Sequence, residues 1–308
     1  MKKTYNEIDF IRCVLIAIVV LVHIVYFGDM YPKLKTSLFT FFMPSFLLIT
    51  GYLVNIEKSL VDFAKYIARI CIPYILMVTT FSIMSQFLPV RDGLEELSMT
   101  ALADKIFVSS IGPYWFLYDM IIYGTAYYAV FTLGRNLSLA SRLSLLAVVV
   151  YLLSYLLPLP GYGEATLYFI GVVLRQKKTD FKKAFCPTPF AILPFLLLLC
   201  QQQLWNKWLC VVLPFFFFSF LSWCYRLLPS SWENVMGYVG RNTLPIYLFH
   251  PLFTMASKFY LTWFTFDSTG ICYLAFTILL SIIGCLCIAK LFDKCRISYV
   301  FATKRLLR

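Results

Sequence analysis

Two histidines are the residues of this chain best suited to acid–base chemistry. His23 and His250 are the only histidines among 308 residues, and both fall inside long apolar runs. An imidazole gains nothing from contact with hydrocarbon and needs a hydrogen-bond partner, so both should face the interior of a helix bundle. There a histidine can act as a general base towards a hydroxyl group or as a nucleophile towards an acyl group. A simple helix-to-helix hydrogen bond is the alternative for each.

An arginine and an aspartate precede His23 at helical spacing. Arg12 lies eleven residues before His23, which places both on one helix face about 16 Å apart. Asp9 lies one turn before Arg12 and is expected to pair with it near the helix start. A guanidinium at the inner end of a membrane helix suits a phosphate-bearing ligand, because its fork gives bidentate contacts. The alternative is an interfacial ion pair that only anchors the helix.

The elements that position these residues must be membrane helices. Apolar residues make up 61% of the chain and charged residues 14%, against about 25% charged residues in a soluble domain. This composition excludes an ordinary soluble protein, and the 19% of aromatic residues argues against disorder. Only helices and closed barrels satisfy their backbone groups in lipid, and the apolar runs lack the alternation of barrel strands.

The sequence therefore predicts an all-α integral membrane protein, a single domain over residues 1–308 with a bundle of about ten transmembrane helices. The predicted spans are 10–27, 35–54, 69–88, 114–133, 142–157, 163–174, 189–204, 208–225, 243–264 and 271–292. The longest connections are 89–113, which is acidic, and 175–188, which is basic. Most of the ten cysteines fall inside apolar runs and are expected to act as small hydrophobes, and no metal site is expected.

Positive charge predicts the orientation of the bundle. Twenty lysines and arginines lie on one side of the predicted spans and five on the other. Because cytoplasmic loops retain positive charge, both termini are predicted to be cytoplasmic, in a multi-pass protein of the cell inner membrane. The formal net charge of +12 thus mainly reflects the basic residues that orient the protein in the membrane. Attraction to an anionic lipid bilayer is a second effect of this charge. Nucleic-acid binding is not expected.

Several segments resemble the integral-membrane acyltransferase 3 family. The first span, DFIRCVLIAIVVLVH, is similar to the family's Asp-x-x-Arg start and its R-x10-H motif, which joins a cytoplasmic-side arginine to the catalytic histidine. FFMPSFLLITGYLV resembles the MP-x-F…SGY-x-L segment, with Thr50 where serine is usual. Gly51, beside it, is expected to permit close helix packing.

Three later segments continue the resemblance in the family's order. KYIARICIPY is similar to the cytoplasmic RxxR-x-x-x-P stretch, with Arg69 at the second arginine but Tyr66 at the first, next to Lys65. PYWFLY resembles the WFL signature. GRNTLPIYLFHPL resembles the late G-x-x-S-x-x-I-Y-x-x-H segment, with Thr243 in place of serine and His250 at the histidine. Whether Lys65 substitutes for the missing arginine is left open.

The resemblance implies a membrane O-acyltransferase that moves an acyl group, acetyl foremost, from cytosolic acyl-CoA to a hydroxyl of a cell-surface or lipid-linked glycan. No permanently bound cofactor is implied, because acyl-CoA is the donor substrate. The implied catalytic residue is His23, and the implied donor-binding residues are Arg12, Asp9, Lys65 and Arg69. The implied acceptor-binding or supporting residues are Trp115, Tyr118, Thr50 and His250.

Two other classes of function remain open at this point. A secondary transporter or flippase would use His23, His250 and Arg12 as a proton or anion relay, although no inverted repeat is evident in the sequence. A membrane scaffold without catalysis gives no reason for an arginine–histidine track. Trp115 and Tyr118 also fit an aromatic belt at the outer interface, with sugar stacking as the sharper interpretation.

Overall fold

The computed structural model describes residues 6–87, 92–202 and 209–308. Four of the basic residues in the topology count, Lys2, Lys3, Arg91 and Lys207, lie outside these ranges, as do parts of three predicted spans. Over the described residues the structure contains helices and no strand, which confirms the all-α fold class.

Fifteen α-helices are found among the described residues. They are α1 Asn6–Val22, α2 Val25–Met30, α3 Pro32–Phe39, α4 Phe42–Leu53, α5 Leu60–Met84, α6 Met99–Asp104, α7 Trp115–Leu133, α8 Leu139–Leu156, α9 Tyr162–Gln176, α10 Phe181–Phe185, α11 Ile192–Leu199, α12 Leu209–Arg226, α13 Ser230–Arg241, α14 Thr243–Ala256 and α15 Ile271–Lys294. Short 3-10 helices cover Gly112–Tyr114, Pro189–Ala191, Ser257–Phe264 and Ile297–Phe301, and a π-helical turn covers Lys105–Ser109.

Several of these helices are long and apolar enough to cross a membrane. In the described ranges there are four: Pro32–Leu53, Leu60–Met84, Leu139–Leu156 and Ile271–Lys294. A fifth results if Met99–Ser109 and Gly112–Leu133, which meet at 43°, form one broken span. Large apolar side chains point outward from α8 and α15, as expected for a lipid-facing surface. The chain is a membrane protein, and ten spans with cytoplasmic termini remain a prediction.

The first predicted span, 10–27, is not one continuous helix. α1 ends at Val22, and α2 begins at Val25 after an extended Ile24. The amides of His23 and Ile24 bond to carbonyls three residues back, at 3.2 and 3.1 Å, so the last turn tightens before the chain changes direction. The prediction of an unbroken helix is wrong because hydropathy does not register how the final carbonyls are satisfied.

Other predicted segments also differ from the structure. Span 189–204 is a 3-10 turn followed by α11, which ends at Leu199. Span 243–264 begins as predicted but changes from α-helix to 3-10 helix at Ser257. The connection between spans 208–225 and 243–264 contains α13, whose acidic first turn and basic last turn suit the helix dipole. Because α13 is a surface helix with polar and apolar residues mixed, its hydropathy does not predict a membrane span. The same holds for α6, which lies within 89–113.

The described chain forms two compact units. Unit 1 takes in Met1–Phe46, Asp180–Tyr299 and Thr303–Arg308, and unit 2 takes in Leu47–Thr179 and Val300–Ala302. The single domain over residues 1–308 stays a prediction.

In unit 1, α1 is the central helix and packs against α12, α13, α14 and α15. The approach of α1 and α13 is especially close at Gly240, where an added Cβ would lie 1.7 Å from the carbonyl oxygen of Asp9. Only glycine leaves room for the two backbones there. This contact fixes the height of Asp9 on α1 relative to the end of α13.

In unit 2, the helices α5, α7, α8 and α9 pack in succession along the chain. Helix α4 meets α9 through two glycines: a Cβ on Gly51 would lie 2.3 Å from the carbonyl oxygen of Tyr168, and one on Gly171 would lie 2.1 Å from that of Leu48. The close packing expected at Gly51 is therefore confirmed. It places Thr50, the preceding residue, next to this tight crossing.

Candidate functional site

The two histidines of the chain meet inside unit 1. His23 follows the end of α1 and His250 lies in the middle of α14, and their ring centroids are 4.9 Å apart at an interplanar angle of 70°. His250 is fully buried, and His23 is partly exposed. The expectation that both face the interior of a bundle is thus confirmed, and the edge-to-face contact brings two candidate bases into one place.

Hydrogen bonding assigns the tautomer of both rings. Nδ1 of His23 lies 2.7 Å from the carbonyl oxygen of Val19, and Nδ1 of His250 lies 2.8 Å from that of Tyr247. A carbonyl oxygen only accepts, so each Nδ1 carries the proton and donates it. In the neutral form each Nε2 then holds the lone pair, which is the atom that takes a proton or attacks an acyl carbon.

The bond from His23 also explains where α1 ends. The imidazole satisfies the carbonyl oxygen of Val19, one of the acceptors that the end of a helix leaves without an amide partner. The same contact orients the ring, whose edge lies against Phe39 at a centroid distance of 6.3 Å. The break in the first span is therefore part of how His23 is positioned.

His250 differs from His23 in the state of its second nitrogen. In the described part of the chain Nε2 of His250 is buried without a hydrogen-bond partner. A buried polar atom without a hydrogen-bond partner destabilises the folded state unless a bound molecule supplies the missing hydrogen bond. The helix-to-helix hydrogen bond considered for His250 is not what the structure shows, because its Nδ1 bonds within α14.

A second cluster surrounds Arg12, in the second turn of α1. Its Nη1 lies 3.3 Å from Oδ1 of Asp9, which confirms the expected pair, and its Nη2 donates to the hydroxyl of Thr243 at 2.7 Å. Oδ2 of Asp9 lies 3.7 Å from Nη1 of Arg241, at the end of α13. One aspartate thus serves two arginines, with about 20% of the Arg12 side chain and 10% of the Asp9 side chain exposed.

The Arg12 cluster leaves positive charge in excess. Asp9 supplies one carboxylate for the guanidinium groups of Arg12 and Arg241, so the three side chains together carry a net positive charge. Thr243, which replaces the serine of the family segment, turns its oxygen towards Arg12. A partly buried cluster with this charge suits a phosphate-bearing ligand.

Five predicted residues lie in unit 2, and three of them are on α4 and α5. Thr50 is half-buried on α4, whereas Lys65 and Arg69 are exposed on α5, one helical turn apart on the same face. Tyr66, at the position of the missing arginine, lies under the ammonium group of Lys58 at 4.6 Å from ring centroid to Nζ. Lys65 and Arg69 therefore form a local basic pair.

The two predicted aromatic residues of unit 2 have different surroundings. Trp115, the first residue of α7, is half-buried. Tyr118 is 8% exposed, and its hydroxyl donates to the carbonyl oxygen of Phe107 at 3.1 Å. Trp115 thus presents more of its ring than Tyr118, whose hydroxyl is committed to the backbone.

Asp119, one residue after Tyr118, is not among the site residues predicted from the sequence. Its side chain is fully buried in α7, and neither carboxylate oxygen has a hydrogen-bond partner among the described residues. Glu164 of α9 lies close enough for the two carboxylates to interact. An acidic residue inside the predicted span 114–133 was a signal in the sequence, because ionisable residues at membrane depth are rare and costly.

A known protein family matches most of this chain. The acyltransferase 3 family model, described as an acyltransferase domain, matches residues 5–290 and so takes in both histidines, the Arg12 cluster and the predicted residues of unit 2. Comparisons with curated proteins and with solved structures gave no significant match. The match over most of the chain, together with apolar helices able to cross a membrane, shows that the chain belongs to the acyltransferase 3 family and is a membrane acyltransferase.

Proposed function

We propose that the chain transfers an acyl group, acetyl foremost, from cytosolic acyl-CoA to a hydroxyl group of a cell-surface or lipid-linked glycan. The observation that carries the proposal is the placement of two elements on one helix. Arg12, in a cluster with excess positive charge, lies in the second turn of α1, and His23 follows the last turn with its Nε2 as the basic atom. An anion-binding group and a base on one helix suit a thioester donor with a phosphate-rich end.

In the first route, His23 acts as a general base. Nε2 takes the proton of the acceptor hydroxyl while that oxygen attacks the thioester carbonyl carbon. The carbon–sulfur bond breaks, and the CoA sulfur leaves and receives the proton from Nε2. The products are the acylated acceptor and free CoA, and the imidazole returns to its starting state.

In the second route, Nε2 of His23 is itself the nucleophile. It attacks the thioester carbonyl carbon, the carbon–sulfur bond breaks, and CoA leaves as the thiolate. The acceptor oxygen then attacks the acyl-imidazole, the carbon–nitrogen bond breaks, and the hydroxyl proton passes to the CoA thiolate, which restores the neutral imidazole. Acid quenching of protein incubated with labelled acyl-CoA and no acceptor separates the routes. Label attached to the chain in wild type and absent in His23→Gln indicates the second route, and an unlabelled chain indicates the first.

The other predicted residues receive supporting roles in the proposal. Arg12, held by Asp9 and Thr243, binds phosphate of the donor. Lys65 and Arg69 keep the donor-binding role that the family resemblance implies for them. His250 lies against the ring of His23 and orients it. The remaining predicted residues, Trp115, Tyr118 and Thr50, are assigned to the acceptor or its surroundings.

We further propose that donor and acceptor meet across the inner membrane, with the donor entering from the cytoplasm. Arg12 lies eleven residues before His23, and α1 continues to Val22, so the two residues are about 16 Å apart along the helix axis and a nucleotide held near Arg12 reaches His23 only through its extended pantetheine arm. The glycan hydroxyl then approaches from the opposite side. A secondary transporter or flippase would instead move an intact solute and would not need the thioester of acyl-CoA.

Proteoliposomes with opposite substrate compartments test this function. Labelled acetyl-CoA is confined to the face that bears the termini, and glycan acceptor to the other face. We expect acetylated acceptor on one side and free CoA on the other. Product that forms only when both substrates share a compartment contradicts transfer across the membrane. Unmodified acceptor that crosses the bilayer contradicts the acyltransferase proposal and supports a transporter.

A further inference from the structure

The chain turns back after α15 and holds its last residues against the end of that helix. Arg296, two residues past α15, has φ of 61°, the left-handed conformation that commonly ends a helix. Farther along, the amides of Leu306 and Leu307 donate to the two carboxylate oxygens of Asp293, at 2.6 and 3.1 Å, and Ser298 donates to the same side chain. Three hydrogen bonds thus meet at Asp293, and two of them fix the segment 304–308, which we call the tail segment.

The tail segment and the end of α15 enclose a positively charged cleft of about 370 Å³. Its lining residues are Asp293, Lys294, Arg305, Leu307 and Arg308. Asp293 is the one acidic side chain in that lining and accepts hydrogen bonds from backbone amides, while the three cationic side chains are exposed. The cleft therefore offers two guanidinium groups and one ammonium group to an anion.

The cleft is linked to the Arg12 cluster by a short chain of contacts within unit 1. The amide of Arg308 donates to Oδ1 of Asn242 at 2.7 Å, and Asn242 is fully buried just before α14. The next residue, Thr243, bonds to Arg12. The charges of Arg308 and Arg12 lie close enough to interact electrostatically. Because like charges repel, an anion that binds to both groups relieves this repulsion.

We propose that this cleft binds the phosphate groups of the 3′-phospho-ADP portion of acyl-CoA, an inference that rests on the proposed function. This portion carries three phosphate groups at one end of the donor, whereas the pantetheine arm is uncharged and narrow. Arginine forks bind phosphate in bidentate fashion. The cleft holds the nucleotide at the surface with a phosphate directed towards Arg12, and the arm continues from there towards His23.

Kinetics with two donors test the cleft. The matched variants are Arg305→Gln, whose side chain lines the cleft, and Lys304→Gln, the exposed neighbour that does not. For Arg305→Gln we expect KM for acetyl-CoA to rise about tenfold, the effect of losing one charge-assisted contact. KM for acetyl-pantetheine, which lacks the nucleotide, should stay at the wild-type value, and Lys304→Gln should change neither. Equal changes with both donors, or an unchanged KM for acetyl-CoA, overturn the inference.

Binding of adenosine 3′,5′-bisphosphate separates this inference from the proposed function, because it requires no turnover. In nanodiscs of zwitterionic lipid, wild type and Lys304→Gln should bind it, Arg305→Gln about tenfold more weakly, and all of them less at high salt. If wild type transfers acetyl from CoA but binds the bisphosphate independently of Arg305, the cleft assignment fails alone. If neither thioester is a donor yet binding depends on Arg305, the cleft assignment stands and the proposed function fails.

Anionic lipid headgroups are the other source of phosphate for such a cleft. The binding measurement is therefore repeated in nanodiscs that contain anionic lipid. Binding of the bisphosphate that persists with the same dependence on Arg305 supports a nucleotide site. Binding that the anionic lipid abolishes identifies a lipid site and overturns the proposal.

Discussion

Asp9 in unit 1 and Asp119 in unit 2 are both buried aspartates, but their surroundings are opposite. Asp9 pairs with Arg12 and Arg241, and the close crossing at Gly240 holds it there. Asp119 is fully buried and its carboxylate has no hydrogen-bond partner among the described residues. An aspartate side chain is thus part of a network of ion pairs in unit 1. In unit 2 it is buried without a hydrogen-bond partner among the described residues.

This difference shows what an apolar helix bundle needs in order to accommodate a buried carboxylate. A carboxylate removed from water loses solvation worth several kcal/mol, which opposite charges and donors recover only when their geometry is good. Asp9 meets that condition because α13 brings Arg241 to it. Asp119 does not, and Glu164 adds a second carboxylate nearby. Removing the two carboxylates should therefore have opposite effects on stability.

The largest expected effect on stability follows Asp9→Asn. The amide keeps the shape of the side chain but leaves Arg12 and Arg241 without a negative partner, which for a buried pair costs about 3–5 kcal/mol. The free energy of unfolding, measured by denaturation of the purified protein in detergent, should fall by an amount of this order. An unchanged value contradicts the interpretation of Asp9 as the centre of the network.

Gly240→Ala should come next. The new methyl group would lie 1.7 Å from the carbonyl oxygen of Asp9, so α1 and α13 must separate, at a cost of about 1–3 kcal/mol for an overpacked contact. Gly237→Ala, on the same helix, is the matched control, because its methyl group would meet only the end of the Arg241 side chain at 3.1 Å. Equal unfolding free energies for the two variants would show that the crossing is not tight.

Asp119→Asn should have the opposite sign to Asp9→Asn. It removes an ionisable group that has no partner in the described residues, so the unfolding free energy should stay the same or rise by about 1 kcal/mol. The same denaturation measurement compares the two variants side by side. A fall as large as that for Asp9→Asn would mean that Asp119 has an essential partner and would end the contrast between the units.

The smallest expected effect concerns Asp267, an exposed residue in the connection before α15. Hydrogen bonds from Thr269 and from the amide of Cys272 lower the pKa of this carboxyl to about 2. Since the pKa falls on folding from about 3.9, the stabilisation is complete above pH 4 and is lost as the pH falls towards 2. The protection factor of the Cys272 amide, which is its exchange rate corrected for the intrinsic effect of pH, should fall over this interval in wild type and show no such change in Asp267→Asn.

The sequence predicted much of the helical structure because apolar runs are a local signal. The runs behind α5, α8 and α15 correspond to helices able to cross a membrane. The sequence did not predict α13, because that helix is polar enough to resemble a loop. It also did not predict the break after Val22, because hydropathy does not detect the capping hydrogen bond of His23. Local composition therefore predicts which segments are helical better than where each helix ends.

The candidate site likewise contains some contacts that the sequence predicts and others that only the structure shows. The pair of Asp9 and Arg12 follows from helical spacing and was predictable. The contact of His23 with His250 and the bond from Arg12 to Thr243 join residues more than 220 positions apart, so only the packing of α1 with α14 reveals them. Asp119 was visible as a charge within an apolar run, but only its burial shows that it lacks a partner.

The central claim is that Nε2 of His23 performs the chemistry of acyl transfer. The most direct test is the rate of acetyl transfer from acetyl-CoA to glycan by wild type, His23→Gln and the control Tyr26→Phe, three residues away, at equal amounts of folded protein. We expect the rate to fall by a factor on the order of 10²–10⁴ in His23→Gln, typical of removing an acid–base group, and to stay at the wild-type value in Tyr26→Phe. Turnover close to wild type in His23→Gln would contradict it.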